Sequence, residues 1–190
     1  MIKIVSIITT LLLLVCSLPA FAQSDSSAGG PVNIHILDYC DPASFNAVLG
    51  DGACERDTTP GAIVFNGFIA ELTAEKSVGA WRFSPSPARV TEPKRLMISN
   101  LGGELHTFTK VKNFGGGFVD VLNQLAGLKR VAPECGAVVD GNIIPQPPGP
   151  DNLFIPAAGT ATHKASDETV HFQCCIHPWM RTTVRIHHED

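Results

Sequence analysis

Apolar positions along this chain follow two textures. Behind Lys3, Ile4 to Val15 is almost unbroken, and it closes on Ser17-Leu18-Pro19-Ala20-Phe21-Ala22. From Pro31 onward the apolar residues come in short or alternating runs, broken by Gly, Pro, Asn and Asp. Val32 to Leu37 alternates and predicts a strand, because successive strand side chains face opposite ways. Residues 61–72, with Ile63-Val64-Phe65 and Phe68-Ile69, predict one or two more strands. Trp81-Arg82-Phe83, Arg89-Val90-Thr91, residues 95–100, residues 105–111, Thr169 to Cys174 and Thr183 to His187 complete the series. Many short strands at turn-punctuated intervals predict a β-sandwich or barrel.

Three segments interrupt that rhythm. Asp41 to Thr59 is long and polar and lies between Cys40 and Cys54, so it predicts an excursion stapled at its base by a Cys40–Cys54 disulfide. Phe118 to Leu128 spaces Val119, Val121, Leu122 and Leu125 near the helical period and predicts one short helix. Pro145 to Pro150 predicts a Pro/Gly-rich crossover. There is no internal repeat and no sign of a second domain.

The opening run has a positive start, an apolar centre and an Ala-x-Ala end, which together predict a secretory signal peptide over residues 1–22. It is short for a spanning helix, and Val15 spoils a lipoprotein signal at Cys16. A flexible segment then covers residues 23–30 and a single domain residues 31–190. Removing the leader takes away Lys3 and no acidic side chain, so the formal charge goes from −4 to −5. No basic run of the kind nucleic acid requires is present, and nothing after the leader is apolar enough to span a membrane. The expected product is a soluble monomer, periplasmic or secreted.

Of six cysteines, Cys16 lies in the leader, leaving Cys40, Cys54, Cys135, Cys174 and Cys175. Exported cysteines pair, so an odd number leaves one thiol for another task. The stretch Phe172-Gln173-Cys174-Cys175-Ile176-His177-Pro178-Trp179-Met180 sets a thiolate, an imidazole and a thioether in one short loop after a strand. Copper cycling between two oxidation states is served by soft sulfur and imidazole, in a trigonal site of two His and one Cys with a distant Met. A second histidine is supplied by Gly102-Gly103-Glu104-Leu105-His106-Thr107, where a Gly-rich turn enters a strand. The candidate ligands of one copper ion are therefore His106, Cys174, His177 and Met180.

On these motifs, over roughly residues 81–187, the chain resembles the cupredoxins, the plastocyanin and azurin family. Its Cys-x-x-His-Pro-x-Met spacing looks most like amicyanin. The resemblance implies an all-β, Greek-key sandwich or barrel with long loop insertions. It also implies a type 1 copper centre that carries one electron to a redox partner protein. Strand alternation puts Val170, Phe172 and Cys174 on the inward face, which makes Cys174 the ligand and leaves Cys175 to pair with Cys135; a vicinal Cys174–Cys175 disulfide is the competing, strained arrangement. Thr107 is placed to hydrogen-bond the Cys174 sulfur, Pro178 to stiffen the loop and Trp179 to shield the metal. By the same resemblance, His177 reaches the surface through an apolar patch, to which Pro178, Trp179, Phe114 and Gly115-Gly116-Gly117 are candidates to contribute. His35, His163, His171, His187 and His188 are expected to be ordinary polar-face or terminal residues.

Four protein ligands leave no open position for a substrate, so an enzyme is not expected. His-x-His pairs for a trinuclear copper centre are missing, as are hydrolase and phosphate-binding motifs. The alternative reading of the same ligands is a periplasmic copper-binding or delivery protein without a redox partner. A metal-free sandwich module is the third.

Overall fold

The computed structural model describes residues 31–56, 61–91, 95–165 and 169–187. The expected leader, the segment 23–30, Asp57 to Thr59 and His188 lie outside them. In chain order the elements are β1 (Val32–Leu37), α1 (Pro42–Leu49), α2 (Phe65–Glu75), β2 (Arg82–Ser84), β3 (Ala88–Thr91), β4 (Arg95–Asn100), β5 (His106–Val111), α3 (Asp120–Leu125), β6 (Gly136–Val139), β7 (Asn142–Pro145), β8 (Asn152–Ile155), β9 (Thr160–Lys164), β10 (Thr169–Gln173) and β11 (Arg181–His187).

Two open sheets make the expected sandwich. One has the order β2-β1-β4-β9 and the other β3-β11-β10-β5-β8, with β6-β7 as a separate hairpin. Sheet neighbours are mostly not sequence neighbours: β1 pairs in parallel with β4, and β3 in parallel with β11. The chain therefore passes repeatedly between the sheets, and neither sheet closes into a barrel.

Period-two patterning builds the core. Ile34 and Ile36 of β1, Leu96 and Ile98 of β4, and Val170 and Phe172 of β10 all turn inward and are buried. Phe172 stacks on Phe108 of β5 with ring centroids 4.2 Å apart, and Phe83 meets Phe108 edge-on at 5.3 Å. These rings fill the space between the sheets beneath the loop that follows β10.

Two insertions depart from the sequence expectations. The polar excursion after Cys40 holds α1, whose N-cap is Asp41, its carboxylate accepting the Ser44 N–H at 2.8 Å, with Pro42 in the first turn. Residues 61–72 are largely helical rather than stranded. Only Ile63 keeps β pairing, with Cys40. Phe65, Phe68, Ile69 and Leu72 recur at three and four residues and present one apolar stripe, of which Phe68 and Leu72 are buried. β-Branched residues at its start misled the strand reading, yet helical spacing governs where one face can be buried, here against Phe45 of α1 and Trp81. Three helices thus stand among the described residues where one was expected. The expected helix is α3, and the crossover around Pro145 is preceded by the β6-β7 hairpin.

Both disulfides match expectation, Cys40–Cys54 and Cys135–Cys175, and Cys174 is the free, buried cysteine among the described residues. No helix among the described residues is long and apolar enough to cross a membrane. Truncating Phe172 to Ala should lower unfolding free energy by about 3–5 kcal/mol, read from denaturant melts of the metal-free protein; a loss under about 1 kcal/mol would contradict a close-packed ring stack.

Candidate metal centre

Three chain segments meet at one end of the sandwich. The first is the end of β1. Its inward phase continues past the strand, so that Ile34, Ile36, Asp38 and Cys40 are all buried. The second is the turn from Asn100 to His106. Asn100 ties it down, its Nδ2 donating to the Glu104, Ile155 and Pro156 carbonyls and its Oδ1 accepting the Gly102 N–H. The third is the loop between β10 and β11, closed by the Cys174 N–H to Met180 carbonyl bond at 3.0 Å and the Met180 N–H to His177 carbonyl bond at 2.9 Å.

His106, Cys174 and His177 come together there, fully or almost fully buried, with one donor atom of each within 4.8 Å of the others. The Cys174 sulfur lies 3.7 Å from His106 Nδ1 and 4.0 Å from His177 Nδ1, and the two Nδ1 atoms are 3.3 Å apart. Met180 is buried in the same loop. The sulfur also accepts two backbone N–H bonds, from Thr107 and His177, each at 3.4 Å. Burial opposes a charge on this thiol, but hydrogen bonds and charge interactions with His106 and His177 outweigh it and hold Cys174 well below the usual thiol range. A thiolate is the form that binds metal.

The Thr107 expectation divides between its two groups. The backbone N–H bonds the sulfur, while the hydroxyl accepts the Cys175 N–H at 2.6 Å. Cys175 is pinned from the other side as well, by its disulfide and by Phe118, whose N–H donates to the Cys175 carbonyl at 2.8 Å. Gly117 passes so close that a Cβ there would sit 1.9 Å from that carbonyl oxygen. Asn123 of α3 clamps Gly117 with two hydrogen bonds, at 2.7 and 2.9 Å. The glycine run is therefore a brace for the ligand loop and not part of a surface patch.

Other parts of the expected patch also lie elsewhere. Pro178 is buried, and exposed Phe114 packs against His171 and Arg181. His177 is only 4 % exposed. The rings of Phe68 and Trp179 meet its imidazole edge-on, because α2, absent from the strand-based expectation, lies over that side. His163 is likewise buried, not on a polar face: β9 turns it inward, where its ring meets Phe172 edge-on and its Nε2 lies 2.8 Å from Asp151.

Asp38 is the site residue that sequence reasoning missed. His106 Nε2 donates to its Oδ2 at 2.7 Å, with neither side chain exposed. Asp38 also accepts the Gly103 N–H at 2.8 Å and the Glu104 N–H at 3.2 Å. A signal was present: a carboxylate in phase with the inward residues Ile34 and Ile36 needs a buried partner. Gly102 permits the approach, since a Cβ there would fall 1.8 Å from an Asp38 oxygen. Burial works against the Asp38 charge, yet the His106 bond and charge and the two backbone donors hold it below the ordinary carboxylate value. Burial likewise disfavours a charged His106, but Asp38 and Cys174 outweigh it and raise it to about 10. Glu104, bonded to Trp81 Nε1 and 3.5 Å from His177 Nε2, is pushed up, chiefly by burial. Asp38, Glu104 and His106 form a second close group of possible ligand atoms, but Asp38 and Glu104 already serve His106, Trp81 and the turn backbone.

The donor set of thiolate, two imidazoles and a nearby thioether fits copper better than a hard cation, which prefers oxygen. Chelation would use the two Nδ1 atoms, while Asp38 fixes the tautomer of His106 by holding its Nε2 proton.

No protein-family model matches the chain, and no curated protein sequence does. Among solved structures it is similar to a novel purple cupredoxin from Nitrosopumilus maritimus, at 14 % identity and a TM-score of 0.39 over 82 % of this chain and 99 % of that one. It is also similar to a copper(I) form of an amicyanin variant, at 11 % identity and a TM-score of 0.32 over 56 % of this chain and 73 % of that one. These likenesses are distant, and the residue roles rest on the side chains described above.

One pH dependence follows for the metal-free protein. His106 keeps its proton in the folded state up to about 10, whereas an unfolded histidine loses it near 6.5. Between those values the folded state holds one more proton at His106, but below about 8.5, where an unfolded thiol is still protonated, it holds one fewer at Cys174. The two offset, so stability should fall as pH rises from about 8.5 to about 10. Asp38→Asn should flatten that fall, as read by thermal melts across the range. An equally steep fall in the variant would show that another group causes it.

Proposed function

We propose that this chain is an exported mononuclear copper protein that carries single electrons to and from a redox partner protein. The observation that carries the proposal is the buried Cys174 thiolate set against the Nδ1 atoms of His106 and His177. His106, Cys174 and His177 would hold the metal, with Met180 as the thioether of the set. Copper bound there would supply a one-electron couple.

The chain's own residues account for the remainder. The burial of His106, Cys174 and Met180 keeps water out, so little solvent has to reorient when charge changes. The Asp38 bond to His106, the two N–H bonds to the sulfur and the Cys135–Cys175 anchor hold the donors in place before any metal arrives. Sulfur that accepts N–H bonds carries less available electron density, which favours the reduced state; the Asp38 carboxylate works in the opposite sense. Two disulfides agree with an oxidising compartment, so periplasmic or secreted location belongs to the proposal.

The mature protein with one equivalent of cupric ion should develop an intense visible absorption that bleaches and returns on reduction and reoxidation. Cys174→Ser should lose the band altogether while retaining the fold. Colourless wild-type protein, or copper that a mild chelator strips at once, would defeat the carrier proposal; the second result would point instead to copper delivery.

A further inference from the structure

A cavity of about 360 Å³ opens beside the candidate metal centre. Phe45 and Leu49 of α1, Phe65, Phe68 and Ile69 of α2, and Leu122 and Leu125 of α3 form its walls. Ile176, His177 and Glu104 also line it. The rim is unusually apolar for a surface: Leu49 is 56 %, Leu105 44 % and Val121 58 % exposed. All three helical walls belong to the insertions added to the sandwich.

One acidic group is among the lining residues. Glu104 Oε2 accepts the Trp81 Nε1–H and lies 3.5 Å from His177 Nε2. Its other oxygen has no hydrogen-bond partner among the described residues, in a side chain that is more than nine-tenths buried. That oxygen retains some solvent contact, so a bound guest can take the place of water as its hydrogen-bond partner.

We propose that this cavity binds a small neutral molecule consisting of one substituted ring and a hydroxyl, the ring between the helices and the hydroxyl on Glu104. The volume is that of a cube about 7 Å on edge, at the lower end of small-ligand pockets. An α-helix with its side chains, about 10 Å across, is too wide to enter. Three phenylalanine rings among the walls favour an aromatic guest, which gains from edge and offset contacts. A cation would satisfy the carboxyl but lose its hydration among apolar walls. A hydroxyl both donates and accepts, so it satisfies Glu104 in either protonation state. The walls are made by protein alone, and binding does not depend on the metal.

The test uses the mature protein, metal-free and copper-loaded, titrated with 4-propylphenol and with 4-propylanisole, which lacks the O–H donor. Calorimetry gives the affinity and amide shifts in NMR give the place. The phenol is expected to bind both forms, with shifts at α2, α3 and Glu104, and the anisole to bind at least about tenfold more weakly, as loss of one buried hydrogen bond predicts. Leu122→Trp on α3 and Ile69→Trp on α2 should each fill the cavity and abolish binding; either variant that keeps a cooperative melt decides the matter. Equal affinity for the two probes, shifts confined to another region, binding that survives the filled cavity, or a concentration-dependent doubling of mass that places a second copy on this face would each overturn the proposal. Loss of the visible copper band with phenol binding intact would defeat only the electron-carrier proposal.

Discussion

Everything at the candidate centre is organised around one buried carboxylate. Asp38 accepts hydrogen bonds from His106 Nε2, from the Gly103 N–H and from the Glu104 N–H. The same oxygens thereby fix an imidazole and the turn that delivers it. A charge taken out of water is tolerated only when its lone pairs are occupied in this way. That requirement explains the Gly102-Gly103 pair: the turn must come against the Asp38 carboxyl and the Cys40–Cys54 sulfurs, and a Cβ at either glycine would collide with them. β1, the first disulfide and the turn before β5 are consequently one unit.

The loop carrying Cys174 is held by a separate set of constraints that converge on its neighbour. Thr107 bonds the Cys175 N–H, Phe118 bonds the Cys175 carbonyl, and the disulfide ties the Cys175 side chain to Cys135. With that residue fixed on three sides, the Cys174 side chain has little freedom, and its sulfur faces the imidazoles without a covalent partner. Adjacent cysteines on opposite faces of a strand end can thus serve opposite purposes. One is an anchor and the other a thiolate kept reactive by His106 and His177.

How much of this was legible in the sequence depends on whether the signal was local. Alternation located β1, β4, β5, β10 and β11 and placed Cys174 inward, because period two directly encodes which face meets the core. His106, Cys174 and His177, which the structure brings together, were singled out by residue type and spacing, and the odd cysteine number pointed to the free thiol. α2 was not, since Ile63-Val64-Phe65 carries β propensity and its helical stripe acquires meaning only against Phe45, Trp81 and the ligand loop it meets. Asp38 was half legible: its phase with Ile34 and Ile36 marked it as buried, but its partner lies 68 residues away. The place of Glu104 had no local signal, because its burial arises from Trp81 and the helical insertions.

Those insertions change what the centre can touch. His177 was expected to reach the surface; here Phe68 of α2 and Trp179 close over its edge, and it is 4 % exposed. Charge around the two imidazoles is balanced by the same cover. Asp38 is held ionised by its donors, whereas burial pushes Glu104 toward its neutral form. With Cys174 as thiolate, the site presents two negative charges and one carboxyl that need not be charged. Two negative charges match a dipositive ion, so on the proposed reading the oxidised state leaves the buried centre neutral and the reduced state leaves it one charge negative. The N–H bonds from Thr107 and His177 to the sulfur spread that extra charge. The apolar cover that dries His177 raises the cost of any unbalanced charge, and this is why Glu104 has to differ from Asp38 although both carboxyls lie beside the same ring.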